Sequence, residues 1–387
     1  MRRNGAFYLK NISGVSYIIP IGQMAADHMK SVMINAVGEL IWNLMSEEIS
    51  REEIIQKCIV YFEAEGDEKE IIISDVNAFL DQMIQNGMIA ESMHPDLGLD
   101  LIKCIEIAGI NVSFYGDKEC LTDGFDAFEK KPDFENETFE KSGIRIEIVH
   151  RIVPMTLNGK TIVRNAPVNT VECEDRYLLD FSESREIMEC HLKKDGSLAR
   201  FYTYSKMSDS GKEILFHAIR TVFLFKALQS GIAAVHSVSI EYKNKAWLFS
   251  ASSGTGKSTH ADLWKKLFDA DIINGDLNLI GIKEDKAVVY GLPWCGTSGI
   301  FSVKEYELGG IIFLKRNEAN FIDEIPDAEK SFILQKRLIS PIWDENMADI
   351  QIDLIGKISD KIILARLNCN MNDEAAIVMK DYIDSHL

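Results

Sequence analysis

The chain has 387 residues, 46% of them apolar, and a formal charge of −18, enough for two or three domains with cores of their own. So acidic a chain does not suit a nucleic-acid partner, which is held by clustered Lys and Arg that release counterions. Seven cysteines without a C-x-x-C pair argue against a disulfide framework or zinc ribbon. A start without an apolar h-region, and the lack of any apolar run near ~18 residues, lead to the expectation of a cytoplasmic protein with no membrane partner.

Residues 6–12 and 15–21 alternate like the arms of a hairpin around Ser13-Gly14, and Val32 to Ile34 offers a third strand. The period then lengthens. Val37, Leu40, Ile41 and Leu44 mark one helix, and Ile54, Ile55, Cys58 and Phe62 a second, opened by Ser50 with Glu53 as a capping box. A third helix, carrying Val76, Phe79, Leu80, Met83 and Ile84, is expected to open near Ser74 and close at Asn86-Gly87. The turn-rich HPDLGLD (94–100) marks a domain junction. Residues 103–210 read as strand-rich, with the acidic stretch 128–141 as a solvated loop, and a helix near 212–231 leads into the remainder. The expected domains are 1–93 and 103–387, the second divided into 103–210 and 211–387.

The most informative stretch is SASSGTGKSTH, 250–260. An apolar strand, KAWLFS (245–250), runs into Ser253, Gly254, Thr255, Gly256, Lys257, Ser258 and Thr259, and an apolar-faced helix with Ala261, Trp264, Leu267 and Phe268 follows. Glycines that turn backbone N–H groups toward an anion, a Lys for the outer phosphates and a hydroxyl for Mg²⁺ at a helix start are the parts of a phosphate-binding loop. Ala251 stands where that motif has its first glycine, a departure that matters only if the backbone there needs positive φ. Downstream, IINGDLNLI (272–280) is an apolar strand interrupted by Asp276. A carboxylate in such a place needs a cation opposite it, and Mg²⁺ held by Ser258 and Asp276 would supply one; a tight turn between two strands is the other reading. His236, on the strand expected to pair with the loop strand, is either a proton acceptor or donor near the transferred phosphate or a packed core histidine. Cys295 lacks an activating base in view and reads as loop architecture, whereas Lys315 and Arg316 end a strand from which they could reach phosphate oxygens or simply meet solvent.

With these residues assembled, 103–385 resembles the HPr kinase and phosphoenolpyruvate carboxykinase type of P-loop kinase, through IEIAGI (105–110), VHSVSI (235–240), SSGTGKST (252–259), NGD (274–276), PWCG (293–296) and IILARLNCNMNDEAAIVM (362–379). The resemblance implies a mixed-sheet kinase domain, ATP bound by the loop, Mg²⁺ on Ser258 and Asp276, and Lys257, Asp276 and His236 as catalytic residues. Such kinases often carry two successive acids where this chain has Gly275-Asp276, so the base is either Asp276 in a double role or His236. The Arg- and Glu-containing signature of true HPr kinases is replaced by GLPWCGTSGI, which makes HPr an unexpected substrate and leaves no basis for decarboxylating chemistry.

Residues 1–93 are similar to the PqqD-like peptide chaperones, the RiPP recognition elements: a small winged-helix-like unit of three strands and three helices. That resemblance implies that a leader peptide adds as a strand beside Val32 and Ile34 and rests on Val76, Phe79, Leu80 and Met83. A packing or dimerisation module is the plainer reading. Together the two resemblances imply an α+β/α/β enzyme, a possible homo-oligomer, that binds a precursor peptide and phosphorylates a Ser or Thr in it with Mg-ATP. The alternatives are an ATP-dependent modification through transient phosphorylation, or a nucleotide-sensing chaperone without transfer.

Overall fold

The computed structural model describes residues 1–387 apart from 27, 48, 91–92, 94–98, 132–142, 151–152, 154–158, 166–167, 182–183, 185 and 205–206. Most of the junction and acidic loop expected at 94–100 and 128–141 therefore lies outside the described residues.

At the N-terminus, Phe7–Ile12 and Val15–Pro20 form an antiparallel hairpin. Ser13 and Gly14 both take positive φ, 53° and 85°, which suits the twist of a two-residue hairpin turn. Val32–Ile34 pairs with the second arm and forms the edge of this three-stranded sheet. Helices Ala36–Leu44, Arg51–Tyr61 and Glu68–Gln85 cover it. Asn35 caps the first through the Gly38 N–H, and Ser50 and Glu53 form the expected capping box on the second.

The third helix departs from expectation. It opens at Glu68, not near Ser74, and includes the β-branched run Ile71-Ile72-Ile73. That run has weak helix propensity, but Glu68 and Glu70 complement the helix N-terminus and Ile72 packs on the core, so tertiary contact overrides propensity. The core beneath holds Ile18, Trp42, Ile54, Cys58, Leu80 and Met83, all at or below 1% exposed.

Residues 101–203 build an eight-stranded sheet that is antiparallel except where Ile144–Val149 lies parallel to both Ile110–Gly116 and Leu198–Thr203. Helix Asp209–Gln229, capped by Ser208, joins its core to that of a second eight-stranded sheet. In the second sheet the loop strand Lys245–Ser250 lies between Ala233–Tyr242, antiparallel, and Glu305–Arg316, parallel. Its last five residues, Ala246 to Ser250, are completely buried and Ala251 is nearly so, and the chain leaves the core abruptly at Ser252. Helix Lys257–Phe268 then buries Ala261, Leu263 and Trp264 against the same sheet, with Leu267 and Phe268 partly covered.

Leu80→Ala is expected to lower unfolding free energy by about 2–5 kcal/mol, the usual range for a buried leucine. Phe79→Ala, at a half-buried position on the same helix, is expected to cost clearly less. Urea unfolding of the two variants checks the order.

Candidate functional site

Two features shape the loop between Ser250 and Lys257. Gly254 and Gly256 take φ of +72° and +113°, conformations that L side chains rarely adopt, so the turn into the helix depends on glycine. Ala251 is not among the residues with positive φ, so its departure from the motif places no strain on the backbone. Ser253, Gly254, Ser258 and Thr259 are exposed; Thr255, Gly256 and Lys257 are half-buried. Below the loop, His260 is buried and its Nε2 accepts a 3.2 Å hydrogen bond from the Trp264 indole. Burial brings its pKa down to about 4, so it is a neutral packing residue at physiological pH.

Asp276 comes to the site through a break in one strand. Asp271–Asn274 and Leu277–Lys283 both pair with Ala233–Tyr242, and the register runs straight across, Ser239 with Asn274 and His236 with Leu277. The break is thus neither an uninterrupted strand nor a hairpin turn. Buried Asn274 shapes it: its Oδ1 accepts from the N–H groups of Asp276 at 2.9 Å and Leu277 at 3.1 Å. The freed carboxylate meets His236, whose Nε2 lies 3.3 Å from Asp276 Oδ1, both side chains being a little over one third exposed. The His236 hydrogen bond, reinforced by the charges of His236, Arg220 and Lys257 against the opposing effect of burial, holds the Asp276 carboxyl below its ordinary pKa. Burial lowers the Lys257 pKa, the Asp276 carboxylate opposes that shift and the Arg337 charge adds to it.

The structure thus brings Lys257, Asp276 and His236 together. Ser258 and Asp276 offer a hydroxyl and a carboxylate, the hard oxygen donors that suit Mg²⁺, and among the described residues the Ser258 hydroxyl makes no hydrogen bond.

Gly275 explains the missing acid. A Cβ there would lie 2.1 Å from Ser298 Oγ. That hydroxyl donates to the Cys295 carbonyl at 2.7 Å and accepts from the Ile300 N–H at 3.1 Å, so it cannot simply turn away. Burial pushes the Cys295 thiol up, in keeping with loop architecture and not with a nucleophile.

Beside the loop lies a cavity of about 510 Å³ bordered by Ser252, Thr255 and the cations Lys315, Arg316, Lys336, Arg337 and Arg366. Arg316 donates to the Gly254 carbonyl. Arg337 reaches Ser252 Oγ at 3.5 Å, and its carbonyl accepts the His236 N–H at 3.1 Å. Lys336 and Arg337 carry no sequence signal, because they come from a segment remote from the motif, and Arg366 lies inside the 362–379 stretch without being singled out by it.

In the N-terminal unit a groove of about 600 Å³ lies between helices Ala36–Leu44 and Glu68–Gln85, walled by Val37, Ile41, Phe62, Ile71, Val76 and Phe79. Of the four helix residues expected there, Val76 and Phe79 line it; Leu80 and Met83 face the core instead, because one apolar stripe serves both sides of the helix. On the edge strand Val32 is half-buried, Ile34 is buried and Met33, 67% exposed, faces out.

Gly275→Asp alone is expected to give no gain in nucleotide turnover and a lower melting temperature. Gly275→Asp with Ser298→Gly is expected to recover much of the lost stability. Thermal unfolding with a turnover assay checks both.

Residues 24–89 match the family model of coenzyme PQQ synthesis protein D (PqqD); the hairpin 7–20 lies outside the matched stretch. Among solved structures, the chain resembles the HPr(Ser) kinase/phosphatase from Coxiella burnetii at 8% identity and a TM-score of 0.23, over 40% of this chain and 97% of that one. That likeness is too slight to carry a functional argument. No curated protein matches the sequence. The chain therefore joins a PqqD-like segment to a larger mixed α+β region that carries the glycine-rich loop and the Asp276 site.

Proposed function

We propose that the protein is an ATP- and Mg²⁺-dependent kinase that holds a ribosomally made precursor peptide by its leader and phosphorylates a Ser or Thr hydroxyl in it. The observation that carries this reading is the convergence of Lys257, Asp276 and His236 beside a cation-lined cavity. Backbone N–H groups from Ser253 to Lys257 cradle the donor phosphates at the helix N-terminus, and Lys257 and Arg337 neutralise charge on the transferred group. Ser258 and Asp276 would hold Mg²⁺, which would supply positive charge to offset that of the phosphates.

The acceptor oxygen forms a bond to the γ-phosphorus, the bond from phosphorus to the β–γ bridging oxygen breaks, and ADP leaves. In this reading His236 takes the hydroxyl proton. With its Nε2–H directed at Asp276, Nδ1 is the free acceptor, and among the described residues it has no partner. Asp276 then stabilises the resulting imidazolium, so the histidine and the carboxylate divide the work that two acids would share.

The PqqD-like segment supplies the substrate. A leader laid along Val32–Ile34 and over Val76 and Phe79 makes delivery of the hydroxyl effectively intramolecular, with a gain of ~10²–10⁴ in apparent affinity at suitable linker lengths. The domains 1–93 and 103–387 thus act as tether and catalyst.

The test is to incubate the protein with Mg-ATP and a candidate precursor peptide and read the peptide's intact mass and fragments. One added phosphoryl group on a Ser or Thr is expected. Lys257→Ala is expected to slow its appearance at least ~10²-fold, the scale of losing one charge-stabilising donor. Removing the leader is expected to raise KM more than it lowers kcat. A peptide that binds yet stays unmodified would replace the kinase with a chaperone, and a dehydrated or cyclised product would make the phosphate a transient leaving group.

A further inference from the structure

A second cavity, of about 600 Å³, opens where helix Asp209–Gln229 meets the first large sheet and the segment around Trp343. Val163, Val168, Phe181 and Trp343 give it apolar walls, and His217 and Arg220 stand on its helical side. Arg220 sits at the border of two helix faces. Ile214, His217, Ala218 and Thr221 share the face toward the cavity, at helical spacing. Phe216 and Phe223, four residues before Arg220 and three after it, pack on Trp294 with ring centroids 5.7 and 5.4 Å away. Trp294 leads into Gly296, where a Cβ would lie 2.9 Å from Asp276 Cβ. The Arg220 side chain borders this cavity, and the charges of Arg220 and Asp276 act on each other.

Among the described residues Arg220, half-buried, makes no ion pair or hydrogen bond. A guanidinium beside apolar walls is costly without a partner, and its planar fork fits a carboxylate two bonds at a time. The phosphate donor has cations of its own, Lys257 with Lys315, Arg316, Lys336, Arg337 and Arg366, and Arg220 does not border that cavity. Partial desolvation and the Arg220 charge lower the His217 pKa against the opposing charges of Glu213 and Asp276, which favours a neutral imidazole able to hydrogen-bond without a second charge.

We propose that this cavity receives the acceptor and that Arg220 selects a peptide in which a carboxylate neighbours the hydroxyl-bearing residue. The proposal rests on the kinase reading for the identity of the acceptor, while its binding component is measurable without transfer.

Two fluorescein-labelled peptides that differ only in Glu or Gln beside a central Ser, flanked by leucines, serve as probes. Anisotropy titration with the wild-type protein is expected to favour the Glu peptide at least fivefold. Arg220→Gln is expected to erase that preference and leave affinity for the Gln peptide unchanged, with thermal unfolding confirming that the variant is folded. Equal affinities in wild type, or a Glu preference that survives in Arg220→Gln, overturn the proposal. The same peptides with Mg-ATP report transfer separately. A Glu preference that depends on Arg220, without phosphorylation, keeps the carboxylate-selecting pocket and overturns the kinase reading instead.

Discussion

A carboxylate released from a buried strand has to be held, and here the contact between Asp276 and His236 does this. The rest of the site follows from how the two residues are presented. His236 is fixed because its strand lies between the loop strand and the broken strand, and because the Arg337 backbone pairs with it from outside. Asp276 is fixed because Asn274 folds the break around its own side chain. The loop strand ends alongside, which brings Lys257 within reach of the same carboxylate. One antiparallel pairing therefore sets the positions of loop, carboxylate and imidazole at once.

That arrangement gives a physical reason for a single acid. Where two successive carboxylates would crowd like charges together, Ser298 fills the space above Gly275 and ties the Cys295–Ile300 turn to the strand. Two adjacent carboxylates raise each other's pKa, whereas one carboxylate against an imidazole is lowered. The chain keeps Asp276 ionised by its partner and has no second acid to hold.

Much of this was legible in the sequence, for reasons that differ between residues. The glycine-rich loop is contiguous and its geometry is local, so Gly254, Gly256 and Lys257 could be read directly. Asp276 stood out as a charge inside an apolar strand, and its distance from the loop in sequence did not hide it. Lys336, Arg337 and Arg220 were illegible, because an exposed-looking cation carries no mark of the tertiary neighbour that gives it meaning. The third helix shows a different limit. Periodicity gathered Val76, Phe79, Leu80 and Met83 on one side, yet only packing decides which of them turn to the groove and which to the core. Its early start at Glu68 was hidden by three isoleucines whose local preference is not helical.

The central claim, that Asp276 and the loop form one Mg²⁺-dependent nucleotide site, is tested most directly by calorimetric titration of ATP with and without Mg²⁺. The wild-type protein is expected to bind ATP at least tenfold tighter when Mg²⁺ is present, and Asp276→Asn is expected to lose that gain while still binding ATP through the loop. An Asp276→Asn variant that keeps the full Mg²⁺ gain would contradict the account.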